Sequence, residues 1–225
     1  MASAQDATRF GDLRARRLTL PEAAQVLRVG VELIRKAVER GGLDPTYVLV
    51  GNRRIRALDG VDLVFLQLSR PYSRKVRDEI YRTLKHAPED QPLHDALLIQ
   101  VKGSAGRATP VEVPLRQSVA ETLAGLAELE RTERLIVPDE GGGGMIRGTG
   151  VEAHRIAALA AGGMSTGEIL RDYPNLTAEQ VKAAVDYAAA HPKQGRPYPR
   201  RTVKAVLREG RGGLERAFAA AREEG

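Results

Sequence analysis

Apolar positions along this chain follow a helical period in some stretches and an alternating one in others, and the switches between them mark out its elements. Ala23, Ala24 and Leu27 share one face of a helix that starts at Thr19-x-x-Glu22. That spacing is a capping box, in which hydroxyl and carboxylate each satisfy the other residue's backbone amide. Pro21 stands in the first turn, where its missing N–H does no harm. Past a turn at Val29-Gly30, Leu33, Ile34, Ala37 and Val38 form the apolar stripe of a second helix over residues 31–40, stopped by Gly41-Gly42. The period then drops to two. Residues 47–50 and 53–56 predict strands joined by the two-residue turn Gly51-Asn52. Asp59, with Asp62 three residues on, opens a further helix through Val61, Leu63, Val64 and Leu66. Helix, turn, helix, basic hairpin, helix is a winged helix-turn-helix layout.

The middle of the chain reads as a charged helix over 73–86, the Pro-bounded linker Ala-Pro-Glu-Asp-Gln-Pro, strands over 96–101 and 111–115 with a polar loop between them, and a helix from Ser118 through Val119, Leu123, Leu126 and Leu129 towards Ile136. Residues 146–192 carry two more capping boxes, Ser165-x-x-Glu168 and Thr177-x-x-Gln180, a dozen residues apart. Ile156, Leu159 and Ala160 give a preceding helix its apolar face, and Val181, Ala184, Val185 and Ala188 repeat at helical spacing on the last. Three helices with a very short middle one outline a second helix-turn-helix-like unit. After Pro192 a Gly- and Pro-containing loop leads into two short helical pieces interrupted by Gly210, Gly212 and Gly213, with little to bury alone. The fold class is mainly α, α+β overall, in four regions: 1–68 winged helix-turn-helix, 69–138 linker helix, hairpin and dimerisation helix, 139–192 helical domain, and 193–225 basic tail.

Composition narrows the chemistry. Cysteine is absent, which removes disulfides, thiolate zinc sites and thiol catalysis together. None of His86, His94, His154 and His191 has the spacing of a zinc motif; His154 reads as a helix-surface residue and His191 as a cation at a helix C-terminus. The glycine run before Met145 lacks the Gly-Lys-Ser/Thr ending of a phosphate loop, so no enzyme and no cofactor are expected. Residues 1–17 are polar and charged, and no apolar run reaches the roughly twenty residues of a membrane span, so the expectation is a cytoplasmic protein without membrane contact. The net charge of +6 is uneven: residues 1–68 hold 11 Lys+Arg against 8 Asp+Glu, residues 150–192 hold 3 against 5, and residues 196–225 hold 8 against 4. Both ends of the chain therefore invite an anionic partner.

Two resemblances add to this reading. Ile146-Arg147-Gly148-Thr149, the Ala-Ala-Gly-Gly-Met-Ser turn and Glu-Ile-Leu-x-Asp-Tyr-Pro-x-Leu-Thr resemble domain-of-unknown-function family 433, departing from it in the residues that flank the Ile-Arg-Gly-Thr run. The resemblance implies an antitoxin-like protein encoded beside a PIN-domain ribonuclease toxin. Residues 17–68 resemble the MerR and excisionase class of DNA-binding domains. That implies promoter DNA as a partner, with Arg35, Lys36 and Arg40 on the second helix and Arg53, Arg54 and Arg56 on the hairpin contacting it, as base edges and phosphates require. The architecture also resembles VapB-type antitoxins, whose C-terminal segment wraps the toxin. By position and composition this assigns toxin contact to Arg200, Arg201, Lys204, Leu207, Arg208, Arg211, Leu214, Arg216 and Phe218. The expected function is an antitoxin and homodimeric DNA-binding autoregulator. The rival is a protein–protein scaffold that uses both helical units for assembly and binds no DNA.

Overall fold

The computed structural model describes residues 8–50, 52–102, 107–138 and 143–192, and the chain divides into two compact units, residues 1–130 and 131–225. The expected tail contacts, Arg200, Arg201, Lys204, Leu207, Arg208, Arg211, Leu214, Arg216 and Phe218, lie outside the described residues.

The first unit begins with α1 (Phe10–Arg14), a helix sequence periodicity does not announce. Its two apolar side chains, Phe10 and Leu13, are both buried. Strand β1 (Leu18–Thr19) leads into α2 (Leu20–Val26), capped as expected: the Thr19 amide donates to Glu22 Oε2 at 2.6 Å and the Glu22 amide to the Thr19 hydroxyl at 3.4 Å. α3 (Val31–Glu39) follows, buried through Ile34 and Val38, while Leu33 of the expected stripe faces outward. β2 (Thr46–Val50) and β3 (Arg53–Leu58) form the expected hairpin, and β3 also pairs with β1, giving an antiparallel sheet of order β1-β3-β2. α4 (Gly60–Leu68) is enclosed on nearly every side, as a helix apolar all round must be.

The core continues without a break into the middle of the chain. α5 (Arg74–His86) adds Ile80 and Leu84, and the hairpin of β4 (Ala96–Lys102) and β5 (Ala108–Pro114) adds Ile99 and Val113. The Pro-bounded segment between them is no free linker. Phe10 and Gly11 amides donate to the carbonyls of Gln91 and Glu89, and the Leu93 amide to that of Thr8, so it is laced to the start of the chain. α6 (Arg116–Leu135) starts two residues before Ser118, where Arg116 forks onto Asp95 just ahead of β4. Its Val119 and Leu129 are buried in this unit's own core, with Leu123 and Leu126 packed against it.

The second unit opens with a small antiparallel sheet that periodicity missed: β6 (Ile136–Pro138), β7 (Gly144–Ile146) and β8 (Val151–Glu152), in that order. Ile136 therefore belongs to a strand and not to the preceding helix. The three expected helices follow as α7 (Ala153–Ala161), the short α8 (Thr166–Asp172) and α9 (Ala178–Ala190). Both capping boxes form. The buried face of α9 is rotated from the expected one: Val181, Ala183, Ala184, Tyr187 and Ala190 point inward, and Val185 outward. Tyr187 sets that rotation. A side chain on Gly144 would lie 2.4 Å from the Tyr187 ring and 2.5 Å from Ile136 Cγ2, so the bare glycine leaves room for the ring against β6 and β7.

Candidate functional site

Exposed cations occur on several elements of the first unit, among them α3 with its C-cap and the β2–β3 hairpin. On α3, Arg35, Lys36 and Arg40 are all exposed. Arg35 is engaged with Glu32 one turn earlier, 2.7 Å away, and that pair lies open to solvent. On the hairpin, Arg53, Arg54 and Arg56 are exposed, and no carboxylate occurs between Thr46 and Leu58. The register sorts them. Tyr47 pairs with Arg56 and Leu49 with Arg54, so these four share one face. Val48, Ile55 and Ala57 lie on the other, which is half-buried to buried. The Arg54 guanidinium stands 5.2 Å from the Tyr47 ring centroid, a cation–π contact that restricts where the arginine points. α2 touches both α3 and β3 and so ties the two cationic elements into one body.

The turn between α2 and α3 adds a cation that motif reading passed over. Arg28 is exposed and holds φ at +52°, the left-handed region glycine normally occupies. Its backbone closes α2: the Arg28 amide donates to the Gln25 carbonyl and the Val29 amide to that of Ala24. An arginine where glycine would be easier is strain retained at an exposed basic position.

Next to the end of β3 lies an ion network. Asp59 Oδ2 accepts from Arg17 Nη1 at 2.6 Å and from Lys85 Nζ at 2.9 Å, and the same ammonium is 2.8 Å from Asp62 Oδ1. Tyr81 donates its hydroxyl to Asp62 Oδ1 at 2.9 Å and accepts from the Asp44 amide at 2.8 Å. The two aspartates also cap α4 on each other. Burial pushes the Asp59 carboxyl up, but Lys85 and Arg17 outweigh it and hold the group below the usual carboxylate range. Burial and the neighbouring Asp59 charge raise Asp62. Burial, with the Asp62 and Asp59 charges, holds the Tyr81 phenol well above its ordinary value. An open cavity of about 610 Å³ lies alongside, lined by Arg14, Arg17, Asp59, Tyr81 and Lys85 among others. Its cations already have partners: Arg14 donates to the carbonyls of Ala87, Leu84 and Lys85 at the end of α5. The network fastens the end of β3, α4 and α5 together. It was invisible in the sequence because Lys85 is 26 residues from Asp59.

In the second unit the Ile-Arg-Gly-Thr run is the turn between β7 and β8. Ile146 is buried, and Gly148 takes φ of +76°. The Arg147 amide donates to the Leu135 carbonyl, and its Nε to the Arg134 carbonyl, both at 2.8 Å. The Thr149 hydroxyl donates to the Ile146 carbonyl at 2.8 Å. Gln180, from the capping box of α9, reaches back to the Arg147 carbonyl at 3.2 Å. The polar groups of this turn named above are therefore engaged within their own unit. His154 is likewise not a surface residue. It is buried because α7 packs on α9; its Nε2 donates to the His191 carbonyl at 2.7 Å, and its ring meets Tyr187 edge-on. His191 does sit at the C-terminus of α9, its ring against Tyr187.

Among the described residues no helix is long and apolar enough to cross a membrane. Residues 140–188 match the family described as Protein of unknown function (DUF433), as the motif run in this segment implied. The chain is also similar to the uncharacterized protein y4eO of Sinorhizobium fredii (strain NBRC 101917 / NGR234), at 33% identity over 84 residues. That stretch covers 37% of this chain and 38% of the relative's length. No solved structure matches.

Proposed function

We propose that the chain is a DNA-binding autoregulator and antitoxin of the cytoplasm, whose first unit grips promoter DNA and whose second unit and tail hold a PIN-domain toxin. The observation that carries the DNA reading is the hairpin of β2 and β3, with three exposed arginines, no carboxylate, and a rigid anchorage through the Asp59–Lys85–Asp62 network. In this reading α2 and α3 are the helix-turn-helix of a MerR-like or excisionase-like domain. Lys36 and Arg40 face base edges and flanking phosphates, and the hairpin is its wing. Arg35 joins them by exchanging Glu32 for phosphate. Since both α6 and the β4–β5 hairpin pack into the first unit's own core, the homodimer we propose rests on the two-fold symmetry of paired DNA half-sites and not on a spare apolar helix.

The toxin reading rests on residues 140–188, whose family is antitoxin-like by resemblance, and on the arginine-rich tail. An arginine fork matches the carboxylates of a metal-dependent nuclease better than a lysine does. The test joins both halves. The full chain should bind its own promoter with an affinity that falls as salt rises from about 50 to 200 mM, because each neutralised phosphate releases counterions. It should also rescue cells expressing a PIN-domain neighbour, and lose that rescue, but not DNA binding, when residues 196–225 are deleted. DNA affinity indifferent to salt would sink the first half, and full rescue by the truncated chain would remove the tail from the second.

A further inference from the structure

Leu49 is the most exposed large hydrophobic side chain among the described residues, at 73%. A lone exposed leucine needs no explanation. Leu49 is not alone: Tyr47 and Val50 beside it are each more than half exposed. On the outer face of the hairpin Leu49 lies opposite Arg54 and Tyr47 opposite Arg56, while the Arg53–Val50 pair, next to the turn, belongs to the other face but is exposed there at the tip. β2 is an outer strand of its sheet, with β3 its one strand neighbour. The surface is an apolar tip with a cationic rim and no acid. It complements a partner that is anionic outside and apolar within. A DNA duplex has that make-up, with phosphates flanking each groove and stacked bases beneath.

We infer that Leu49 is an apolar wedge that enters the minor groove and partly unstacks a base step, while Arg53, Arg54 and Arg56 hold the flanking phosphates. Unstacking costs the duplex a few kcal/mol per step and is repaid by the protein surface that bent DNA can reach. Pyrimidine–purine steps yield most easily, so the wedge selects sites with a TA or CA step under the wing, without a hydrogen bond to any base. The Tyr47 ring helps by holding the Arg54 guanidinium beside the wedge. This inference rests on the DNA reading above and adds to it a residue that sets sequence preference by shape.

The experiment uses the full chain and 30-base-pair duplexes that it retains from a random-sequence pool, resynthesised with 2-aminopurine at the central TA or CA step. Wild-type protein should raise the 2-aminopurine fluorescence on binding, reporting an unstacked base. Leu49→Ala should bind roughly tenfold more weakly, as loss of one buried leucine side chain implies, without the fluorescence rise and with the salt slope unchanged. Leu49→Met should restore both signals. Leu49 is solvent-exposed, so folding is not at issue, and matching thermal melts of the two variants would confirm that. Unstacking by Leu49→Ala equal to wild type would overturn the wedge. So would DNA binding unaffected by Leu49→Ala together with a loss of self-association in sedimentation, which would make Leu49 a protein contact. If the wild-type chain retained no duplex from the pool, the DNA reading itself would fall, a result distinct from tight binding without unstacking.

Discussion

In the first unit the arginines of the hairpin are exposed while the carboxylates that follow it are buried and paired, whereas in the second the polar residues of the family-matched turn are spent on hydrogen bonds to their own backbone. Arg53, Arg54 and Arg56 are exposed, and the acids nearest the hairpin in sequence behind it, Asp59 and Asp62, are buried and paired with Lys85. Arg147, Thr149 and Gln180, by contrast, donate hydrogen bonds to carbonyls of their own unit. A motif recognisable in sequence can therefore be a record of how a turn is made. A surface without a strong motif can be the one left free to bind.

The largest effect expected is on the network. Lys85→Met should destabilise the first unit by about 3–5 kcal/mol, because it leaves the buried Asp62 carboxylate without a cation beside the Asp59 charge, which keeps only Arg17. The pH dependence should tilt towards acid. In the wild type the two carboxyls act in opposite directions: Asp59, held low, contributes stability that is present above the ordinary carboxylate range and fades as the pH falls through its lowered value, whereas Asp62, held high, is relieved as acid neutralises it. Without Lys85 Asp62 loses its cation, and acidification, which neutralises it, should recover more stability than in the wild type. Urea melts between about pH 4 and pH 8 would show this tilt. A variant whose stability follows pH just as the wild type's does would contradict the network's role.

In the second unit Gly144→Ala should cost about 1–3 kcal/mol, since the added methyl meets the Tyr187 ring and Ile136 where nothing can move cheaply. Arg147→Ala should cost about 1 kcal/mol by removing the hydrogen bond to the Arg134 carbonyl. Both changes, read by thermal melts, should leave DNA affinity where it was, and a drop in affinity without unfolding would move the DNA interface into the second unit. The smallest effect sharpens the contrast from the other side. Arg28→Gly should stabilise the first unit by up to about 1 kcal/mol by relieving the left-handed arginine, yet weaken DNA binding by removing an exposed charge. A substitution that raises the melting temperature and lowers affinity would mark Arg28 as a binding residue, and one that raises the melting temperature alone would confine its role to the turn.

Local signals were legible in the sequence. The capping boxes at Thr19/Glu22, Asp59/Asp62, Ser165/Glu168 and Thr177/Gln180 all form, because each is completed within four residues. The basic hairpin was legible for the same reason. What failed needed distant partners. Leu33 and Val185 fit helical stripes on paper, but tertiary packing chose Ile34 and Val38 on one helix and Tyr187 on the other. The β6–β8 sheet escaped because its strands are two or three residues long and paired by a turn that carries Gly148 at positive φ. The Lys85 network escaped because nothing near Asp59 in sequence announces a cation from α5. A cut at residue 68, natural from periodicity alone, would strip Ile80, Leu84, Ile99 and Val113 from the core they share with the first two helices. Surface substitutions are therefore the right probe of the interface.

The most direct test of the central claim, that the first unit's hairpin and α3 hold DNA, is the salt dependence of binding by the full chain with Arg53 and Arg54 both replaced by alanine. Removing two phosphate-binding side chains should weaken binding across all sequences and reduce the slope of log affinity against log salt by about two. The melting temperature should stay unchanged, because both side chains are exposed. A doubly substituted chain that binds with the wild-type affinity and slope would contradict the claim.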